Sequence, residues 1–311
     1  MNRVAGLFIL ILSAGGGASA ATQEAAPVTA HSDRNPSVSP DGKTVLFQSD
    51  RSGRGAFYLQ SVDGGPVSVF IDSGDEPRYA DWSPDGRRVA FSAKFGEEDD
   101  IFIVDADGGD RRRLADHPAR EGHPRWSPDG KRIYFNSERV AGEPGAPTGE
   151  DVVDIFSVRA DGTDLRRHTR CRSECSYPSV SPDGKKLLYR RVFWSAGADG
   201  ERVRNSEIVV ADLDGPNERN LTQDAAYDVY PIWSHDGAWV YFSSVRPPSE
   251  GRMHLWRVPA DGGPAQQLTS GEWSHRQAVP DRQGRRIYMF TFKRIGTIDV
   301  GHIGAIEVPP E

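Results

Sequence analysis

Residues 124–135 read Pro-Arg-Trp-Ser-Pro-Asp-Gly-Lys-Arg-Ile-Tyr-Phe, and the four in the middle, Ser127-Pro128-Asp129-Gly130, recur along the chain. They stand again at Ser39–Gly42, Ser83–Gly86 and Ser181–Gly184. A fifth copy is Ser234-His235-Asp236-Gly237, and a sixth is worn down to an ending in Gln283-Gly284. Pro fixes φ at the second position of a turn, Asp suits the third, and Gly supplies the positive φ of the fourth. Together they specify a type I turn with a glycine bulge, which closes a β-hairpin. One copy marks a loop, whereas six copies mark an architecture.

The turn glycines are Gly42, Gly86, Gly130, Gly184, Gly237 and Gly284, separated by 44 to 54 residues. That is the period of a four-stranded propeller blade. Before each turn runs an extended segment ending in Val38, Trp82, Trp126, Val180 or Trp233. After it, apolar residues alternate as Val45 and Phe47, Val89 and Phe91, Ile133 and Phe135, Leu187 and Tyr189, Val240 and Phe242, Ile287 and Met289. This is strand periodicity. A third strand follows (Phe57–Leu59, Ile101–Val104, Ile155–Val158, Ile208–Ala211, Leu255–Val258), then an Asp-Gly turn and a short fourth strand.

The sequence therefore predicts an all-β, six-bladed β-propeller of four-stranded antiparallel blades. The blades fall at roughly 35–71, 77–115, 122–169, 176–222, 229–269 and 276–311. The last blade is one strand short, so the segment 22–29 is expected to complete it and close the ring, pairing an otherwise bare edge. Residues 1–20 read as a signal peptide: Arg3, an apolar run from Val4 to Ser13, and an Ala18-Ser19-Ala20 cleavage site. The run is too short to span a bilayer, and no Cys near the cleavage point invites a lipid anchor. The mature protein is expected in the periplasm or outside the cell, as a monomer with no membrane span. In that oxidising setting Cys171 and Cys175, the only cysteines, are expected to form a small disulfide. A net charge of −7 argues against a nucleic-acid surface.

The unit Pro-x-Trp-Ser-Pro-Asp-Gly-Lys-x-Ile-x-Phe, then Ile-x-x-Val-x-x-Asp-Gly-Gly, then Leu-Thr, resembles the TolB-type, WD-repeat-like propeller repeat. The resemblance covers residues 22–311 and is specific for the fold, while one such fold hosts many activities. TolB-type proteins carry an α/β domain before the propeller, and propeller peptidases add an α/β-hydrolase domain. This chain is read as having room for neither, and no G-x-S-x-G elbow occurs in it.

Function is expected on the face that collects the long second-to-third-strand connections, Glu138–Asp151, Val192–Ser206, Val245–Arg252 and Lys293–Gly304. Insertions gathered on one rim mark a binding face, or else tolerated drift. Facing the channel, one repeat position carries Asn35, Tyr79, His123, Tyr177, Tyr230 and Gln277. This ring is suited to stacking a sugar or clasping a peptide, or alternatively to packing on neighbouring blades. Two residues upstream stand Asp33, Glu121 and Asp228, with Glu76 and Glu174 near the matching positions. Such acids could hold Ca²⁺ at the channel mouth, or satisfy loop N–H groups. The reading that follows is a non-catalytic binding or scaffolding protein with a protein, peptide or glycan ligand and no obligatory cofactor. The alternative is a propeller enzyme, a metal-assisted polysaccharide lyase or a hydrolase, using His123, His275 and nearby Tyr and Arg groups.

Overall fold

The computed structural model describes residues 11–12, 31–114, 117–140, 152–196, 202–213, 217–295 and 298–309. Among them there are strands and no helix. A two-residue strand, β1 (Ile11–Leu12), precedes the blades. The first blade is β2 (Asp33–Val38), β3 (Thr44–Ser49), β4 (Ala56–Ser61) and β5 (Ser68–Ile71). The second is β6 (Arg78–Trp82), β7 (Arg88–Phe95), β8 (Glu98–Asp105) and β9 (Arg112–Arg113). The third is β10 (Glu121–Trp126), β11 (Arg132–Ser137), β12 (Asp154–Arg159) and β13 (Arg166–Arg167). The fourth is β14 (Cys175–Val180), β15 (Lys186–Ala196), β16 (Arg202–Asp212) and β17 (Glu218–Asn220). The fifth is β18 (Asp228–Trp233), β19 (Trp239–Ser244), β20 (His254–Pro259) and β21 (Gln266–Gln267). The sixth has three antiparallel strands, β22 (Ser274–Pro280), β23 (Arg286–Ile295) and β24 (Ile298–Glu307).

The repeated turn explains its own four letters. Ser39 Oγ donates to Asp41 Oδ1 at 2.6 Å, the same carboxylate oxygen accepts the Lys43 N–H at 3.0 Å, and Ser39 Oγ accepts the Thr44 N–H at 3.0 Å. These bonds hold the Asp41 carboxyl below its usual range. The Ser-to-Asp bond recurs at 2.6 Å in the next four turns. All six turn glycines have positive φ, from 65° to 76°, where a side chain is disfavoured. The turns also touch one another around the ring: a Cβ on Gly130 would stand 3.6 Å from Pro84 of the preceding turn.

The core lies between blades. Leu46 and Phe57 of the first blade pack with Trp82, Val89 and Phe91 of the second. Fully burying one such Phe contributes about 1.5–3 kcal/mol. The same packing closes the ring. Val45, Phe47 and Tyr58 of the first blade share a cluster with Val279, Tyr288 and Ile303 of the sixth, and Gln283 Nε2 reaches the Pro40 carbonyl at 3.3 Å. The expected closing segment, 22–29, lies outside the described residues. What stands beside β24 is β1, paired in parallel with Ile11 opposite Ala305 and Leu12 opposite Ile306.

Candidate functional site

Each inner strand carries one irregularity, and it falls at the same repeat position. Register against the second strand shifts between Arg34 and Ser37, Arg78 and Asp81, Gly122 and Arg125, Ser176 and Ser179, Val229 and Ile232, Arg276 and Val279. Within these bulges the six channel residues all adopt left-handed backbone: Asn35 (φ 52°), Tyr79 (56°), His123 (54°), Tyr177 (56°), Tyr230 (57°) and Gln277 (59°). A non-glycine residue there costs on the order of 1–2 kcal/mol. The ring residues thus lie inside the inner strands, not just before them. A bulge re-aims a side chain, and here six of them line one pocket.

Four of the rings close over the channel as a plug. Ring centroids lie 4.0 Å apart for Tyr79 and His123, 4.0 Å for His123 and Tyr177, and 4.7 Å for Tyr177 and Tyr230. His123 Nδ1 donates to Asn136 Oδ1 at 2.8 Å, and Asn35 Nδ2 donates to Gln48 Oε1 at 2.6 Å. Burial pushes the His123 imidazole down to about 3 and the Tyr79 phenol up to about 12, so the plug is neutral at pH 7. The cavity left among the six is about 40 Å³, room for roughly three waters. A sugar ring or a peptide does not fit inside it, so a ligand of that size sits over the plug.

The upstream acids are ion-paired within their own blades. Asp33 bonds Arg51 at 2.7 Å, Glu121 bonds Arg139, and Asp228 bonds Arg246 at 2.6 Å. In each case the acid lies opposite a serine (Ser49, Ser137, Ser244), and the arginine two residues further on folds back over aromatic rings. Arg51 covers Phe47 and Tyr58, Arg139 covers Phe135 and Phe156, and Arg246 covers Phe242 and Trp256. A cation at these carboxylates would have to displace a guanidinium. Among the described residues no three His, Cys, Asp or Glu are grouped to hold a metal.

Blades two, four and six lack this clamp, since Pro77, Cys175 and His275 take the acid's place two residues before the ring position. Cys175 is disulfide-bonded to Cys171. His275 is buried against His254, with 3.4 Å between the Nδ1 atoms, and burial pushes it down to about 3. His123 and His275 thus belong to separate clusters, one in the plug and one between blades five and six. Glu76 is ion-paired with Arg78, and Glu174 with Arg190 and Arg204.

The clamp-free blades carry the longer strand ladders, while the connections from Ser137 to Asp154 and from Ser244 to His254 belong to the clamped blades three and five. Strands two and three are six residues each in blades one, three and five. They lengthen to eight in blade two, eleven in blade four and ten in blade six. Val192–Ser206 and Lys293–Gly304, expected as loops, are largely paired hairpin, and the Asp151 end of Glu138–Asp151 lies outside the described residues. The three hairpins expose Phe95 (55%), Trp194 (41%), Val203 (48%) and Ile295 (56%). Sequence reasoning found four long connections, two in odd and two in even blades, and missed both the blade-two hairpin and the alternation of strand length. The readable signal was the absence of Ser-x-Arg after the second strand in every other repeat.

Six antiparallel blades around a plugged channel define a β-propeller, and comparison with known proteins says which kind. The TolB beta propeller domain family matches residues 76–195. An uncharacterized protein of Agrobacterium fabrum is 32% identical over 112 residues, which is 36% of this chain and 34% of that protein. TolB from Acinetobacter baumannii superimposes with a TM-score of 0.61 at 21% identity, over 89% of this chain and 57% of that one. Oligogalacturonate lyase in complex with manganese gives a TM-score of 0.59 at 15% identity, over 86% and 73%. The match thus spans about a third of the curated relative, and the chain covers under two thirds of A. baumannii TolB. The chain is a six-bladed propeller that matches the TolB beta propeller domain family over residues 76–195, and it shares its fold with TolB and with oligogalacturonate lyase.

Proposed function

We propose that the protein is a non-catalytic binding protein of the bacterial periplasm, and that its partner is a protein docked on the hairpin-bearing face. The observation that carries this is the apolar content of the three alternate hairpins. Phe95, Trp194, Val203 and Ile295 make up four of the six large apolar side chains exposed among the described residues, the others being Val69 and Leu165. Exposed apolar side chains gathered on one rim favour an interface, and aromatic anchors dominate binding energy when they are covered. The plug supports the same reading, since the site offers a surface and not a deep pocket. Export rests on the leader-like pattern of residues 1–20 and on the periplasmic character of TolB-like proteins. An enzyme built on His123 and His275 needs them at one site, and they stand in separate clusters.

The test is site-specific photocrosslinking in cells producing the protein, from position 194 on the hairpin face and from Lys131 on the turn face. A discrete adduct from position 194 alone is expected. Phe95→Ser with Val203→Ser and Ile295→Ser should abolish it while shifting stability by less than about 1 kcal/mol. Equal adducts from both faces, or an adduct that survives the triple variant, would overturn the reading.

A further inference from the structure

We infer that Arg276, Arg34 and Arg78 form a carboxylate-binding arc on one side of the channel mouth, and that the docked partner presents an acidic peptide segment to it. The inference rests on the docking reading above and names the chemistry of the partner. The inner strands of blades six, one and two are consecutive around the ring, and in each the residue just before the plug residue is arginine. The other three blades carry Gly122, Ser176 and Val229 there. Arg78, Arg276 and the loop residue Arg120 all act electrostatically on the Tyr79 phenol, and Arg190 with Arg120 acts on His123. Guanidinium groups thus lie near enough to the plug to act on it, in a chain whose net charge is −7, and Arg276 itself stacks on Phe290 and Phe292.

The carboxylates near this arc lie farther from the channel axis and leave the guanidinium groups under-bonded. Asp50 follows the second strand of its blade, and Asp99 and Asp299 sit on third strands. Their approaches are 3.7 Å for Arg34 and Asp50, 3.7 Å for Arg78 and Asp99, and 3.4 Å for Arg276 and Asp299. Charge-assisted hydrogen bonds run at about 2.7–2.9 Å, so these pairs neutralise charge without using the fork of donors that arginine offers a carboxylate. Arg34 Nε and Arg276 Nε are buried with no hydrogen-bond partner among the described residues. Only Arg78 has a close carboxylate, Glu76 at 3.0 Å.

Two acceptors of the channel ring, Gln277 Oε1 and His123 Nε2, are enclosed without a partner among the described residues, and with Nδ1 donating to Asn136 the Nε2 atom is an acceptor. Waters in the small cavity can serve both, and side-chain carboxylates of a docked segment fill the arginine forks. Phe95 and Ile295, on the hairpins of blades two and six, offer apolar contacts that a polypeptide matches and an oligouronate, hydroxylated all round, does not.

The experiment is calorimetric titration of the full chain with acetyl-tetraglutamate amide, against the tetralysine and tetraserine peptides and trigalacturonate. Saturable binding of tetraglutamate alone is expected, weakening about tenfold or more between 50 and 500 mM NaCl. Arg34→Gln with Arg276→Gln should cost about tenfold or more, and Arg34→Lys alone a smaller loss, with melting curves confirming that each variant is folded. Absence of tetraglutamate binding, equal binding of tetralysine, or binding of trigalacturonate in its place would overturn the inference. If tetraglutamate fails while the position-194 adduct still depends on the hairpin residues, the arginine arc falls and the docking face stands. If tetraglutamate binds while that adduct is absent, the arc stands and the hairpins are not the docking surface.

Discussion

Blades one, three and five and blades two, four and six are written in the same repeat, yet they end differently on the hairpin face. In the odd blades an acid, a serine and an arginine lock the end of the second strand against an aromatic pair, and the ladder stops there. In the even blades the acid is replaced by Pro77, Cys175 or His275, and the second and third strands run on as projecting hairpins. The clamp satisfies a buried charge within the blade, and the paired ladder of an odd blade ends there. An even blade leaves its rim free to carry residues that the fold does not need. Alternation of this kind separates the elements that stabilise the ring from those that project from it.

The widest gap between the two sets should appear when an acid is removed. Asp228 is fully buried and Arg246 nearly so. Asp228→Ala leaves that guanidinium uncompensated, and breaking such a pair costs about 3–5 kcal/mol. Glu76, its counterpart near the mouth of an even blade, is half-exposed, and Glu76→Ala should cost no more than about 1 kcal/mol. Urea unfolding of both variants measures the contrast. Equal losses would mean that the odd-blade clamp does not lock the blade.

A smaller difference is expected between the two faces. Gly130 sits at φ 69° with Pro84 close to where a Cβ would go, whereas Gly96, in the blade-two hairpin, sits at φ 69° with nothing within 4 Å. Both substitutions strain the backbone, and only the first also meets a neighbouring blade. Gly130→Val should destabilise by about 1–3 kcal/mol, and Gly96→Val should stay at the low end of that range. Thermal melts that rank them the other way would show that turn-to-turn contact does not stiffen the ring.

The sequence displayed the turns, the blade count and the repeat position of the channel ring, because each is a local pattern copied six times. Its Ser and Asp identities could be read as a turn, and the bonds from Ser39 to Asp41 and from Asp41 to Lys43 show why both are kept. The left-handed bulge was present as a proline after the ring residue, at Pro36, Pro124, Pro178 and Pro231. Proline inside an inner strand signals a bulge. The partners of Asp33, Glu121 and Asp228 were not legible, since each arginine lies 18 residues downstream and only register brings the pair together. That is why the acids read equally well as a cation site. The exclusion of a ligand from the channel was also hidden, because ring-to-ring contact across four blades depends on distances that no single repeat encodes.

The sharpest use of the odd–even contrast is at His275, which occupies in blade six the position that Asp33, Glu121 and Asp228 hold in the odd blades. An acid there is matched by an arginine, whereas His275 meets His254, with His302 and, beyond it, Asp33 nearby, and Arg252 beside His254. Burial holds all three imidazoles below their ordinary value, His275 to about 3. A histidine whose folded pKa is lowered binds its proton more readily in the unfolded chain. Its neutral form therefore stabilises the fold fully above about pH 6.5, the unfolded value, and that contribution is lost as pH falls toward 3. Each such group tilts stability by up to about 1.4 kcal/mol per pH unit across that window. Unfolding free energy should therefore decline from pH 7 to pH 5, where exposed carboxylates are still ionised. His275→Asn, which cannot take up the proton, should flatten the decline by up to one group's slope. An identical slope in His275→Asn and the parent would place the acid sensitivity elsewhere and end the parallel between His275 and the odd-blade acids.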